Sequence, residues 1–144
     1  MTETELEQRI RTGIPLATQM DFQVLELTGN SIRVSGGAAQ NVNVHGTAFA
    51  GSLYAVCTLA LWGLAHSRLP EAAELVIAEG SIRYRKPVVG EIIAECQVDA
   101  DAVNGFLDRL RYKGKSRLRG VARVAAEAGN AAEFSGLLFA RLKE

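Results

Sequence analysis

Apolar residues change their spacing along this chain, and the changes mark its elements. From Thr47 to about His66, Phe49, Leu53, Val56, Ala60 and Leu64 recur at helical intervals, while Tyr54, Leu61, Trp62 and Ala65 add a second apolar flank. No Asp, Glu, Lys or Arg interrupts this stretch before Arg68. The spacing therefore predicts a long helix over about 47–66, apolar nearly all round, that other elements must wrap. Ahead of it, Asp21–Thr28 and Ser31–Gly37 are β-rich runs flanking Gly29-Asn30, an antiparallel pair with a tight turn. Ala38–Val44 reads as loop. Beyond Pro70 the pattern has period two: Leu75–Lys86, Glu91–Asp99, Lys115–Glu127 and Ala131–Leu142 read as strands. Residues Val103–Tyr112 fit either a helical turn or two or an extension of the neighbouring strands, and Asn104-Gly105 also reads as a turn. At the N-terminus, Glu3, Glu5 and Glu7 precede Arg9 and Arg11, which suits a short helix over about 2–12 that Gly13 and Pro15 stop. Strands segregated from one long helix imply an α+β fold, an antiparallel sheet curled round that helix.

Composition narrows the function classes. A length of 144 residues predicts one domain over 1–144, and 48% hydrophobic with 22% charged residues excludes a disordered polyelectrolyte. Sixteen Lys plus Arg balance sixteen Asp plus Glu, so overall charge names no partner. Cys57 and Cys96 lack metal-ligand spacing, and with only His45 and His66 to help, no metal site or cofactor is expected. Cys57 sits among Val56, Leu59 and Ala60 on the predicted helix, Cys96 alternates in step with apolar residues, and both read as core. The acidic start is unlike a leader peptide, and no apolar run approaches the roughly 18 residues of a membrane span. A cytoplasmic protein that binds neither membrane nor nucleic acid is expected.

The order of elements, with Ile82-Arg83-Tyr84-Arg85-Lys86-Pro87-Val88-Val89-Gly90-Glu91 in and after the strand that follows the helix, resembles the hotdog fold of acyl-thioester enzymes. Within that superfamily, the segment from Asn41 to Tyr54 (NVNVHGTAFAGSLY) is similar to the signature of the putative thioesterases typed on the YiiD C-terminal domain. The resemblance covers most of the chain after the first helix. It implies action on acyl-coenzyme A or acyl carrier protein thioesters, a site between protomers of a homodimer or homotetramer, and in some members malonyl-thioester decarboxylation feeding fatty-acid initiation.

The chemistry expected at this segment follows from its residue types. First-turn N–H groups of a helix have no internal partners and favour an oxygen gaining negative charge. Gly46, Ala48, Ala50, Gly51 and Ser52 keep that turn clear for a thioester carbonyl, or else merely let the helix pack closely. Asn41 and Asn43 either fix a turn, as loop asparagines commonly do, or donate an amide N–H to the substrate, with Asn43 the stronger candidate by the resemblance. Thr47 and the helix start near Gly51 would complete the pocket. His45 is a candidate acid, base or donor, or a surface residue. Ser81, on the strand after the helix, is the next candidate for contact with substrate.

One absence is informative. Between Glu26 and Glu71 there is no Asp or Glu, and this interval holds the whole loop and helix. By the resemblance, hotdog thioesterases commonly place a carboxylate on that helix about two turns after the carbonyl-binding residue, as base or nucleophile, where this chain has Thr58 and Leu59. Decarboxylation of a malonyl thioester needs hydrogen-bond donors for the enolate and no enzyme carboxylate, which would repel the substrate's own. Decarboxylation is therefore the preferred reaction, hydrolysis the alternative, and a non-catalytic acyl-thioester or carrier-protein binding module a third reading.

Finally, Arg109, Arg111, Lys113, Lys115, Arg117 and Arg119 recur at intervals of two, followed by Arg123. If extended, they align on one face, where Lys115, Arg117 and Arg119 would meet coenzyme A phosphates or an acidic carrier protein. The alternative is an exposed strand guarded by charge against edge pairing.

Overall fold

The computed structural model describes residues 1–143. Helix α1 (Glu3–Gly13) opens at Thr2, whose side chain accepts from the Glu5 N–H, with Glu3 and Glu5 at its positive end. Gly13 closes it, but Pro15 begins a second helix rather than only stopping the first: α2 (Pro15–Gln19) has that proline at its first position, where no N–H is needed. Strands β1 (Gln23–Leu27) and β2 (Ser31–Gly36) form the expected antiparallel pair.

The remaining elements are α3 (Ala50–His66), β3 (Ala73–Tyr84), β4 (Ile92–Gln97), α4 (Ala100–Lys113), β5 (Lys115–Ala125) and β6 (Asn130–Leu142). One six-stranded antiparallel sheet runs β1-β2-β4-β5-β6-β3, and α3 lies against β2, β4, β5, β6 and β3. This is the hotdog arrangement of a sheet round one buried helix. Leu53, Val56, Cys57, Ala60, Leu61 and Leu64 of α3 are all buried. On its remaining side α1 seals the helix: a β-carbon added at Gly63 would touch Leu6 and Ile10.

Three glycines decide how closely α3 approaches the sheet. Gly80, Gly136 and Gly120 stand side by side on β3, β6 and β5. A β-carbon at Gly136 would lie 2.9 Å from one methyl of Leu61, one at Gly120 would lie 2.5 Å from the other, and one at Gly80 would strike the Tyr54 hydroxyl. The bare row is the floor on which Tyr54 and Leu61 rest.

The segment 103–112 is helix. Val103, Phe106 and Leu110 recur at three and four residues and are buried against the sheet, and Gly114 ends α4 in a left-handed conformation (φ +77°). The expected line of cations is thereby broken. Arg109, Arg111 and Lys113 belong to α4, and only Lys115, Arg117, Arg119 and Arg123 share the outer face of β5. No helix among the described residues is long and apolar enough to cross a membrane.

Candidate active site

The helix begins three residues later than its apolar pattern predicts, because Asn43 holds the preceding chain in a loop. The Asn43 N–H donates to the Thr47 carbonyl (2.7 Å), and Val42 bridges Ala48. The Asn43 Oδ1 accepts from the N–H groups of His45 (2.8 Å) and Thr47 (3.2 Å), and its Nδ2 donates to Thr47 Oγ1 (3.0 Å) and the Ala48 carbonyl (3.3 Å). Gly46 takes the left-handed turn position (φ +81°) that this closure requires. Asn43 and Thr47 thus form one unit, and His45 sits exposed at its tip.

Asn41 anchors the loop from below. Its Nδ2 donates to the carbonyls of Met20 (2.9 Å) and Gly37 (2.7 Å), and its own carbonyl accepts from Phe49. The side chain is buried with both amide hydrogens engaged, while its Oδ1 has no partner among the described residues. The loop is tied on its other side by the Ala48 N–H to the Val88 carbonyl (2.8 Å).

Helix α3 has no side-chain cap, and the N–H groups of Ala50, Gly51 and Ser52 donate to nothing among the described residues. These orphan donors carry the positive end of the helix dipole beside the Asn43 loop. Gly51 is small for a reason other than open access: a β-carbon there would lie 2.5 Å from the Phe49 ring, which folds over the first turn. The phenol of Tyr84, on β3, donates to the Ala50 carbonyl (2.8 Å), and partial burial holds its pKa above the usual tyrosine value. Phe49, Tyr54 and Tyr84 lie in or beside the first turns of α3, and motif reading does not single them out as site residues. Their signal in the sequence is that three of the chain's few aromatics fall within the two segments that carry the resemblance.

Other expected residues lie elsewhere. Ser81 is not brought to the loop: Gly80 and Ile82 face α3, so Ser81, between them, points to the outer face opposite Ser135. Thr58 is on α3 with its hydroxyl buried and unpartnered, and no carboxylate stands on α3 or in the loop. On the outer face, Arg119 pairs with Glu79 (3.9 Å), Arg123 with Glu133 (3.0 Å) and Arg141 with Glu74 (2.7 Å), whereas Lys115 and Arg117 have no ion-pair partner among the described residues. Arg119 is thus partly neutralised by its neighbour across β6. Cys57 and Cys96 are buried, and desolvation pushes both thiols up to about 12, which makes them core residues rather than nucleophiles.

Solved structures share this arrangement over nearly its whole length. A protein of unknown function from Chlorobaculum tepidum is 27% identical, with 99% of this chain and 94% of that one aligned at a TM-score of 0.88. A putative thioesterase from Shewanella oneidensis is 28% identical over 95% of each chain, with a TM-score of 0.82. A probable thioesterase from Pseudomonas aeruginosa, 23% identical over 96% of this chain and 95% of its own with a TM-score of 0.83, shares the fold. The family model described as putative thioesterase (yiiD_Cterm) matches residues 3–141. The chain therefore belongs to the YiiD C-terminal putative thioesterase family, whose model spans its hotdog fold from the first helix to the last strand.

Proposed function

We propose that this protein is an acyl-thioester enzyme whose preferred reaction is decarboxylation of a malonyl thioester, carried on carrier protein or coenzyme A, to the acetyl thioester. The observation that carries this reading is a loop and helix start that bring together an amide, a hydroxyl and three N–H groups without partners, with no carboxylate on α3 or in the loop. The bond between the malonyl carboxylate carbon and the α-carbon breaks. Carbon dioxide leaves, the electron pair enters the thioester as an enolate, and a proton from water completes the acetyl group. The enolate oxygen replaces the Ala48 carbonyl, the more distant of the two acceptors of the Asn43 amide, while the dipole of α3 stabilises its charge.

The site is read as shared by two copies. Strand β3 lies at one edge of the sheet, is 12 residues long, and leaves Val76 55% and Ile77 37% exposed. Long apolar edges of this kind are normally covered, and a second β3 running antiparallel would cover it. That pairing would place the Glu74 end of one strand beside the Tyr84 end of the other.

Hydrolysis is the second reading, supported by the family's description as thioesterases. Malonyl, acetyl and long-chain thioesters, offered on coenzyme A and on carrier protein and followed by mass spectrometry, separate the readings. Acetyl thioester with carbon dioxide is the expected product. Free acid establishes hydrolysis instead, and binding without turnover leaves only a binding module.

A further inference from the structure

A groove of about 510 Å³ opens at the C-terminal end of the central helix, where the turn after α3, helix α4 and the end of β6 meet. Leu69, Pro70, Leu107, Leu110 and Leu142 form its walls, all of them aliphatic. Arg68 and Arg111 are the only charged residues that line it. Leu107 and Arg111 are four residues apart on α4, so one side of that helix presents an apolar wall and a cation together. Arg68 is held in place by donating from one guanidinium nitrogen to the Gly29 carbonyl, and its other N–H groups make no bond among the described residues. Glu71 and Asp108, the acids nearest to these arginines along the chain, pair with neither and do not line the groove. The groove is remote from the Asn43 loop, since α3 has 17 residues and its two ends lie roughly 25 Å apart. It shares no residue with the groove that Arg9, Trp62 and Lys143 line.

We propose that this groove binds an aliphatic carboxylate, a free fatty acid in its ionised form, with the chain against the leucines and the carboxylate on the guanidinium groups of Arg68 and Arg111. Charge complementarity carries the choice of ligand. Two guanidinium groups without a carboxylate partner, set on purely aliphatic walls, match one anionic head on a hydrocarbon tail. No aromatic ring lines the groove, so a planar ligand has no platform to stack on. A guanidinium already anchored on Gly29 loses little further freedom when the carboxylate arrives. Each methylene that leaves water for these walls should tighten binding by up to about fourfold. The site stands apart from the thioester reading, because it requires no turnover and uses none of the residues of the Asn43 loop.

Calorimetric titration of the full chain with decanoate, kept below its micellar concentration, tests the proposal, with octanoate and decanol as controls. Decanoate should bind about fourfold to fifteenfold more tightly than octanoate, which is two methylenes shorter, and about tenfold more tightly than decanol, which lacks the charge. Arg111→Gln should remove most of the preference for decanoate over decanol, and Arg111→Lys should restore part of it. Arg111 is exposed, so both variants should keep the melting curve of the wild type. Methyl spectra of leucine-labelled protein locate the chain: Leu69, Leu107 and Leu142 should shift as decanoate is added. Shifts at Leu75, beside Trp62, in place of these would put the ligand in the other groove and overturn the proposal. Equal affinity for decanoate and decanol, or decanoate binding unmoved by Arg111→Gln, overturns it as well. Retention on phosphatidylglycerol vesicles without binding of monomeric decanoate overturns it in favour of a membrane surface.

Discussion

The hydroxyl of Tyr54 occupies the space above Gly80 that a side chain there would fill. It makes no hydrogen bond among the described residues, and the ring sits edge-on to Phe134 at 5.2 Å. Gly80→Ala should therefore destabilise the fold by about 1–3 kcal/mol through overpacking, whereas Tyr54→Phe alone should cost less than about 1 kcal/mol. Combining them should recover part of the loss, since the colliding oxygen is gone. Strictly additive melting data would disprove the contact. Gly136→Ala, 2.9 Å from Leu61, should show a comparable loss without rescue by Tyr54→Phe.

Asn43 separates loop stability from chemistry. Asn43→Asp keeps the oxygens that accept from His45 and Thr47, so its stability should stay within about 1 kcal/mol of wild type. Asn43→Ala loses every bond that the Asn43 side chain makes and should cost about 1–2 kcal/mol. Both remove the amide donor, and turnover of malonyl thioester should fall about a hundredfold to a thousandfold in each. Near wild-type decarboxylation by both variants would transfer the role to another group, with His45 the first to test.

The edge of β3 predicts the assembly. Ile77→Asp, at a half-exposed position, should shift the protein from dimer or larger species toward monomer in sedimentation and lower turnover in parallel. A wild-type monomer at micromolar concentration would rule out the shared site.

The two thiols, held at about 12 by burial, are almost wholly protonated at neutral pH. A thiol-reactive disulfide reagent should label neither in the native protein and both promptly in denaturant. Rapid native labelling of Cys57 would place it in an open channel.

Burial, and then the Arg9 guanidinium, lower the pKa of His66 below the usual 6.5. As pH falls, the unfolded chain takes up this proton before the folded one does. The stability contributed by the neutral imidazole is present above about pH 6.5 and is lost below it. Melting curves between about pH 7 and pH 5 should show a smaller decline for His66→Gln than for wild type. Parallel curves would exclude the linkage.

The large elements were legible in the residue pattern, because hydrophobic burial with a fixed period is a local signal. Val56, Ala60 and Leu64 announce a helix that must be wrapped, and the alternation through Ile92, Ala94 and Cys96 announces a strand. It also held the resemblance around Asn43 to the family that the chain belongs to, and the absence of a nearby carboxylate. Val103, Phe106 and Leu110 carried a helical period too, but the charges that continue into β5 at intervals of two masked it until Gly114 separated them. Tertiary structure alone decided what long-range pairing creates. Register set the glycines of β3, β6 and β5 in one row, turned Ser81 away from α3, and placed Glu79 against Arg119 across β6. It also drew Trp62, Arg9 and Lys143 to one groove although they lie far apart along the chain. Periodicity shows which face a side chain takes, whereas strand order and register decide which other residues it meets there.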